Sequence, residues 1–210
     1  MNRICLCVVL WALSTIASSA PITQSTVAPT ATSAAQPLPP LPDGRPDVMI
    51  RDGIKRLGEF LSQGGGLSPD KIRGYLDSDV ATYFDFEAMG RWAAGPFYRR
   101  MTEPQRTQFA DKLRALFLDS LAKNLGTYGS PLPKTQVYPI RSAPGGGPVT
   151  VRARVMPDQA YPVNVDFRFA PKDGAWKVYD VAANGYSAVA FYRHHFATQA
   201  RREGIAAFYD

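Results

Sequence analysis

The hydrophobic residues of this 210-residue chain recur at two different periods, and the change between them limits the folds available to it. Up to about residue 125 they recur every three or four positions, which is the period of an α-helix. After Gly129 they alternate with polar residues, which is the period of a β-strand. Helices followed by strands predict an α+β architecture, with a helical layer on one face of a sheet.

Most of the predicted helices begin at a residue that suits an N-cap. Ser68 precedes Pro69, Asp85 precedes a short helix that runs through Trp92, and Thr102 begins a capping box with Gln105. A first helix carries Ile50, Ile54, Leu57 and Leu61 and ends at Gly64-Gly65-Gly66. The helix after Thr102 is the clearest, and its apolar face consists of Phe109, Leu113, Leu116, Phe117, Leu121 and Leu125.

The second half predicts a short antiparallel sheet of about four strands. Two runs alternate clearly, Val149–Val155 and Tyr161–Phe169, and Asp173-Gly174 predicts a hairpin turn before Trp176–Val181. Val137–Ile140 is a candidate for the fourth strand. A last helix begins after Ser187 and carries Val189, Phe191, Tyr192 and Phe196. We therefore expect N-terminal helices packed on the sheet, followed by a C-terminal helix.

Two segments precede this unit. Residues 1–20 have a positive start, an apolar run from Ile4 to Ile16 and small residues at Ala17–Ala20, which predicts a cleaved signal peptide; a retained anchor is the alternative. Residues 21–46 contain seven prolines and predict a disordered spacer, with a Pro-rich docking motif as the alternative. The folded domain is therefore expected over residues 47–210.

Composition excludes several classes of protein. Hydrophobic residues make up 45% and charged residues 20%, which argues against a disordered chain and against an integral membrane protein. The only cysteines, Cys5 and Cys7, precede the folded unit, which excludes a disulfide scaffold and a cysteine zinc site there. The net charge of +6 fits an anionic partner without identifying one.

Few residues suit catalysis. The only histidines, His194 and His195, are neighbours on a helix and point about 100° apart, so a shared metal is disfavoured. Ser187 lies outside a nucleophile elbow and fits a helix N-cap instead. Asp166 and Asp180 are candidates for a carboxylate pair, but no spacing argument brings them together. We therefore predict no enzyme and no metal or cofactor.

Two ordered motifs resemble the MlaC (toluene-tolerance auxiliary) family. The first runs from Tyr83 to Trp92 and continues through Thr102–Arg106 and Phe109. The second contains Trp176–Val181, then Asn184–Ser187 and Tyr192–Phe196, which is similar to the strand-to-helix signature of that family. Asn184 and Tyr186 depart from the family pattern, and the chain stops short at Asp210.

The resemblance implies a periplasmic lipid carrier that works as a monomer. MlaC-like proteins move phospholipid between an outer-membrane lipoprotein complex and an inner-membrane ABC transporter with an MCE-domain subunit, which maintains the asymmetry of the outer membrane. The acyl tails lie between sheet and helices in an apolar cavity, and the headgroup faces water. The family binds no metal or nucleotide, and export separates the chain from nucleic acid.

A carrier must shield the acyl chains of its lipid from water, which is worth about 0.8 kcal/mol for each methylene. Two long chains therefore require a wall that supplies ~20 kcal/mol before any opposing costs. The folded unit holds 23 aromatic residues that can form such a wall, although similar residues also fill ordinary cores. The candidate lining residues on the sheet are Val151, Val155, Val163, Val165, Phe167 and Phe169. Those on the helices are Trp92, Phe97, Tyr98, Phe109, Leu113, Leu116, Phe117, Val189 and Tyr192.

Arginines are the candidates for headgroup contacts. Between Arg141 and Arg202 there are nine basic and four acidic residues, so this region carries a local positive excess. We assign Arg99, Arg152 and Arg193 to the mouth of the cavity, because arginine suits phosphate oxygens and a basic surface attracts anionic membranes. Two alternatives remain open: a periplasmic adaptor with a solid core, and an enzyme on a cone-shaped α+β fold.

Overall fold

The structure, a computed structural model, describes residues 44–63, 68–128, 132–140, 147–158 and 160–209. The predicted signal peptide and nearly all of the Pro-rich segment lie outside the described residues. The described part forms five α-helices, which are α1 (Pro46–Ser62), α2 (Pro69–Tyr75), α3 (Phe86–Ala94), α4 (Glu103–Tyr128) and α5 (Ala188–Glu203).

Three of the predicted N-caps are confirmed. The side-chain oxygens of Ser68, Asp85 and Ser187 accept hydrogen bonds from backbone N–H groups three residues later, at 3.4, 2.9 and 3.0 Å. The capping box at Thr102 is formed on one side, where Gln105 Oε1 accepts from the Thr102 N–H at 2.9 Å.

Several short helical segments were not expected from periodicity. A π-helical turn (Leu76–Val80) and a 3-10 turn (Ala81–Tyr83) follow α2, and further 3-10 segments occupy Gly95–Arg100 and Ile205–Phe208. Each is too short to set up a hydrophobic period of its own, which is why the sequence pattern did not reveal it.

The sheet has five antiparallel strands in sequential order. They are β1 (Lys134–Val137), β2 (Val149–Met156), β3 (Val163–Lys172), β4 (Ala175–Ala183) and β5 (Tyr186–Ser187). The predicted hairpin is confirmed, because Asp173 and Gly174 have the positive φ values, 51° and 75°, of a tight turn. The α+β prediction is also confirmed, with one strand more than the four expected, since β5 is only two residues long.

The first strand lies earlier than predicted. The pattern favoured Val137–Ile140, whereas β1 ends at Val137. Pro139 has no backbone N–H to donate, so it is a poor continuation of the ladder. The Tyr138 N–H still donates to the Arg152 carbonyl at 2.9 Å, and pairing stops there.

The buried apolar residues of the described part form two clusters. The helical cluster combines residues of all five α-helices with Phe208, and Phe109, Leu113 and Phe196 lie at its centre. The sheet cluster is smaller and consists of Val149, Val151, Phe169, Trp176 and Val178. Half-buried Phe84 and Val181 pack on both clusters.

Helix α1 crosses from one cluster to the other. Met49 and Ile50 near its start pack on the sheet cluster, whereas Leu57, Phe60 and Leu61 near its end belong to the helical cluster. The helix also contacts β1 and β2. A domain of this size usually has one contiguous core. Half-buried Phe84 and Val181 lie where the two clusters meet.

Candidate functional site

Some half-buried apolar side chains lie outside both clusters. Val155 and Val165 on the sheet and Ile54 on α1 belong to neither cluster. Ile54 lies four residues after Ile50 and three before Leu57, so it shares their helix face and lies between the two ends of α1. The site defined here as the interlayer seam consists of Ile54, Phe84, Val155, Val165, Phe167 and Val181.

The register of the strands gives the seam a continuous apolar wall. Ala153 pairs with Val165, and Val165 with Ala183; Phe167 pairs with Val151 on one side and Val181 on the other. Residues opposite each other on neighbouring strands share a face, so all of these side chains point the same way. Val151 is fully buried, while Val165, Phe167 and Val181 remain partly accessible. The wall is therefore covered more completely at some positions than at others.

A cleft of about 470 Å³ opens beside the seam. Phe84 and Phe86 supply its apolar side, and both rings lie near Phe117 of α4, with ring centroids 5.1 and 6.0 Å from that ring. The other lining residues are Asp85, Glu87, Lys172, Asp173, Ala175 and Lys177. The volume falls in the range of small-molecule sites. Because Phe84 also packs on both clusters, the cleft adjoins the seam.

Charged residues hold the rim of the cleft together. Lys172 Nζ donates to Asp85 Oδ1 and Glu87 Oε2, each at 3.0 Å, which ties the β3–β4 hairpin to the start of α3. Burial alone would lower the pKa of Lys172, but the hydrogen bonds to Glu87 and Asp85 raise the pKa above its ordinary value. Lys177 Nζ donates to the Thr82 carbonyl at 2.5 Å. The cleft thus has an apolar side and a charged rim, in which Lys172 is paired with Asp85 and Glu87.

The opposite face of the sheet carries cross-strand ion pairs. Arg152 binds Asp166 with two hydrogen bonds of 2.7 and 2.8 Å, and Arg168 binds Asp180 at 2.7 Å. The hydrogen bonds from Arg152 lower the pKa of Asp166. Asp180 is 3% exposed and also accepts from the Val189 N–H at 3.1 Å. Asp166 and Asp180 thus each form an ion pair with an arginine, which is not the arrangement of an acid and base pair for catalysis.

The family comparison decides what kind of protein carries this site. The family model described as "MlaC protein" matches residues 54–210, which is most of the chain. The chain belongs to the MlaC family. The resemblance read from the two sequence motifs is thereby confirmed.

A solved structure supports the same fold for this MlaC-family protein. The phospholipid-binding protein from Ralstonia solanacearum, determined in complex with a phospholipid, matches it with a TM-score of 0.68. The two chains are 22% identical, and the match covers 78% of this chain and 92% of that chain. The match therefore supports the α+β fold of the described part.

The sheet residues predicted to line a cavity occupy one face of the MlaC-family sheet. The pairs Val151–Phe167 and Val155–Val163 lie opposite each other, and Val165 and Phe169 continue the same face of β3. Val155, Val165 and Phe167 are half buried, whereas Val151, Val163 and Phe169 are buried. The structure therefore brings the predicted sheet set together, and its lining role stays a prediction.

The helical residues predicted to line the cavity are divided among four environments. Phe109, Leu113, Val189 and Tyr192 are buried in the helical cluster, and burial raises the pKa of Tyr192 to about 12. Phe117 alone among the predicted helical set has a ring contact with the cleft residues Phe84 and Phe86. Trp92 and Leu116 are exposed, and Phe97 and Tyr98 lie in the 95–100 segment.

The three predicted mouth arginines lie on different elements. Arg152 is on the outer sheet face and binds Asp166. Arg99 is exposed at the end of the 95–100 segment, and the Arg193 guanidinium lies against Gly95 at the start of that segment. The structure therefore places Arg99 and Arg193 in one region of the surface, and Arg152 in a cross-strand pair.

Sequence reasoning missed part of the site. Phe84, Phe86, Val181 and Lys172 were not chosen as lining residues, although Phe84 and Phe86 stand in a family motif and flank the N-cap Asp85. The sequence Phe84-Asp85-Phe86 was the available signal, because a cap places its flanking aromatics on either side of a helix start. Nothing local in the sequence predicts that Lys172 reaches α3.

Other chemistries find little support in the described ranges. His194 and His195 are exposed, and within residues 44–63, 68–128, 132–140, 147–158 and 160–209 no three His, Cys, Asp or Glu residues gather as a metal site would require. In the same part of the chain, no helix has both the length and the hydropathy to cross a bilayer.

Proposed function

We propose that this chain is a periplasmic phospholipid carrier whose cargo inserts its acyl tails into the interlayer seam and leaves its headgroup in water. The observation that carries this proposal is the half-covered apolar seam where two clusters meet in a member of the MlaC family. The lipid bound to the Ralstonia solanacearum neighbour supports the choice of ligand.

The half-buried apolar side chains of the seam suit a hydrocarbon ligand. Ile54, Val155 and Val165 are half buried, so part of their apolar surface contacts water when no lipid is bound. Each Å² left accessible forgoes about 25 cal/mol of stabilisation. Acyl methylenes placed against them remove water from both surfaces, at about 0.8 kcal/mol per methylene. Lys172 and Lys177 at the rim of the cleft leave polar groups where the tails end.

The family also suggests where the carrier works. In this proposal it moves phospholipid between an outer-membrane lipoprotein complex and an inner-membrane ABC transporter with an MCE subunit, and it acts as a monomer that maintains outer-membrane asymmetry. Residues 1–20 would direct export, and residues 21–46 would act as a spacer before the domain over 47–210. It needs no metal or organic cofactor for this role.

The proposal assigns the wall of the pocket to the inner sheet face. Val155, Val165, Phe167 and Val181 would contact the tails directly, and Phe117 would close the end beside Phe84 and Phe86. The buried members of the predicted set would support this wall from behind.

Two neighbouring positions on β3 provide the test. Val165 faces the seam and Asn164 is exposed on the other face of the same strand. We expect Val165→Arg to reduce co-purified phospholipid at least tenfold, because a guanidinium among acyl chains is costly to desolvate. Asn164→Arg should keep near-stoichiometric lipid. Mass spectrometry of lipid extracted from protein expressed as the full chain measures both, with circular dichroism to verify folding.

The outcomes separate the alternatives. A folded wild-type protein that carries no phospholipid and takes up none would contradict the carrier and favour an adaptor. Equal lipid content in Val165→Arg and Asn164→Arg would show that β3 does not line the binding site.

A further inference from the structure

The surface around the 95–100 segment concentrates positive charge. Arg99 and Arg100 are exposed at the end of this segment, and the guanidinium of Arg193 on α5 lies 3.0–3.2 Å from where a Cβ would stand on Gly95. Arg91 on α3 and Arg106 on α4 both lie over the ring of Tyr98, with 5.9 and 4.7 Å from guanidinium carbon to ring centroid. Three helices thus direct arginines to one short segment.

Few acidic residues compensate this charge. Glu87 lies 3.7 Å from Arg91, and Glu103 lies 3.1 Å from Arg106. Among the residues that the structure describes, Arg99, Arg100 and Arg193 form no ion pair. Five arginines therefore meet two glutamates, and three of the arginines keep their hydrogen-bonding capacity for a partner.

An indole lies beside these arginines. Trp92 follows Arg91 on the last turn of α3 and is 58% exposed, which is unusual for so large an apolar side chain. It precedes Gly95, against which Arg193 packs, by three residues in the chain. The arginine face is defined as Arg91, Trp92, Arg99, Arg100, Arg106 and Arg193.

We infer that the arginine face docks the protein on the surface of an anionic phospholipid bilayer. Arginine forms paired hydrogen bonds with phosphate, and a cluster of basic residues gains about 1 kcal/mol per residue at a negatively charged membrane. An exposed indole among them matches the headgroup region, where tryptophan is enriched. The choice of a bilayer over an acidic protein rests on the proposed function, since a lipid carrier must meet the membrane that holds its cargo.

Charge-reversal variants test this face on vesicles. Wild-type protein, purified from cells that express the full chain, should co-sediment with phosphatidylcholine vesicles containing half phosphatidylglycerol, and much less with phosphatidylcholine alone. Arg91→Glu combined with Arg100→Glu should weaken binding to the anionic vesicles at least about tenfold. The matched control reverses two exposed cations elsewhere, Lys71→Glu and Arg154→Glu, and should stay within twofold of wild type.

A second variant reports on the indole without a change in charge. Trp92 and the buried Trp176 are the tryptophans of the folded unit, so a blue shift of the emission on adding anionic vesicles should come from Trp92. Trp92→Phe should abolish the shift. Because residues 1–46 are identical in all variants, any binding by them cancels in the comparison.

The results distinguish this inference from the carrier proposal. Unchanged co-purified lipid in Arg91→Glu/Arg100→Glu, together with lost vesicle binding, supports both the membrane dock and the carrier. Equal binding to neutral and anionic vesicles, or equal loss in the control pair, overturns the membrane dock. Absence of wild-type vesicle binding also overturns it and leaves an acidic protein surface as the occupant. Absence of co-purified lipid from a wild-type protein that still binds anionic vesicles contradicts the carrier alone.

Discussion

Asp180 connects three parts of the molecule through one buried carboxylate. One oxygen accepts from the Val189 N–H in the first turn of α5, and the other accepts from Arg168 on β3. The residue itself belongs to β4, so the sheet and α5 are fixed relative to each other at this point. An anionic side chain at the start of a helix also interacts favourably with the helix dipole.

Removing this carboxylate should destabilise the fold. Asp180→Ala leaves the Val189 N–H without its acceptor and Arg168 without its counter-ion, so we expect the free energy of unfolding to fall by ~2–3 kcal/mol. Asp180→Asn keeps an oxygen for Val189 and should cost about half as much. Urea unfolding followed by circular dichroism measures both; equal stability of Asp180→Ala and wild type would contradict this role.

Residues whose partners are close in sequence were predictable, and residues with distant partners were not. Ser68, Asp85 and Ser187 bond to groups three positions away, so composition and spacing revealed their roles as caps. Lys172 bonds to Asp85 and Glu87 more than eighty positions away. That pairing exists only because the fold brings a hairpin to the start of α3.

Among the elements, α1 has the most direct relation to the site. Its two ends are held by different clusters, while Ile54 between them packs on neither. Truncation of a core residue should lower the free energy of unfolding, whereas truncation of a ligand-contacting residue should mainly reduce ligand binding. Leu61 on the same helix is 5% exposed and provides the comparison.

Ile54→Ala and Leu61→Ala should separate ligand binding from stability. We expect Leu61→Ala to lower the free energy of unfolding of the lipid-free protein by ~2–4 kcal/mol, because it leaves a cavity in the helical cluster. Ile54→Ala should cost the lipid-free protein less than about 1 kcal/mol yet reduce lipid retention. Denaturant unfolding and lipid quantification measure the two effects, and a larger stability loss for Ile54→Ala than for Leu61→Ala would contradict the assignment.

Periodicity predicted the long elements well and the short ones poorly. The helix after Thr102 and the two alternating strands contain enough turns or residues for a hydrophobic period to be recognised. The π-helical turn after α2 and the strand β5 span five and two residues. Such lengths hold less than two full periods, so tertiary contacts decide their conformation.

At the scale of the whole molecule, the buried apolar residues of the described part form two clusters that Phe84 and Val181 connect. Hydrophobic patterns identify which face of an element is buried, but they contain no information about what covers it. Phe109 and Phe117 occur on the same predicted helix face, yet Phe109 packs on Phe196 and Phe208, while Phe117 meets the aromatics of the cleft. The difference depends on neighbours from distant parts of the chain.

A ligand that lies between the clusters should stabilise the entire fold. Lipid present at one hundred times its Kd would add about 2.7 kcal/mol to the free energy of unfolding. We therefore expect removal of bound lipid from the wild-type protein to lower its Tm by several degrees and the same treatment to leave the Tm of Val165→Arg unchanged. Differential scanning calorimetry measures both; an identical Tm for loaded and stripped wild-type protein would contradict binding between the clusters.

The span of α1 across both clusters has a consequence for the empty carrier. In the proposed function, its apolar face and the tails of a lipid would both contact β2. A helix that moved toward the sheet as cargo left would keep this strand covered, and no water-filled hollow would need to form. Release of lipid would then replace one apolar contact of the sheet with another. The protein would have no water-filled interior in either the loaded or the empty state.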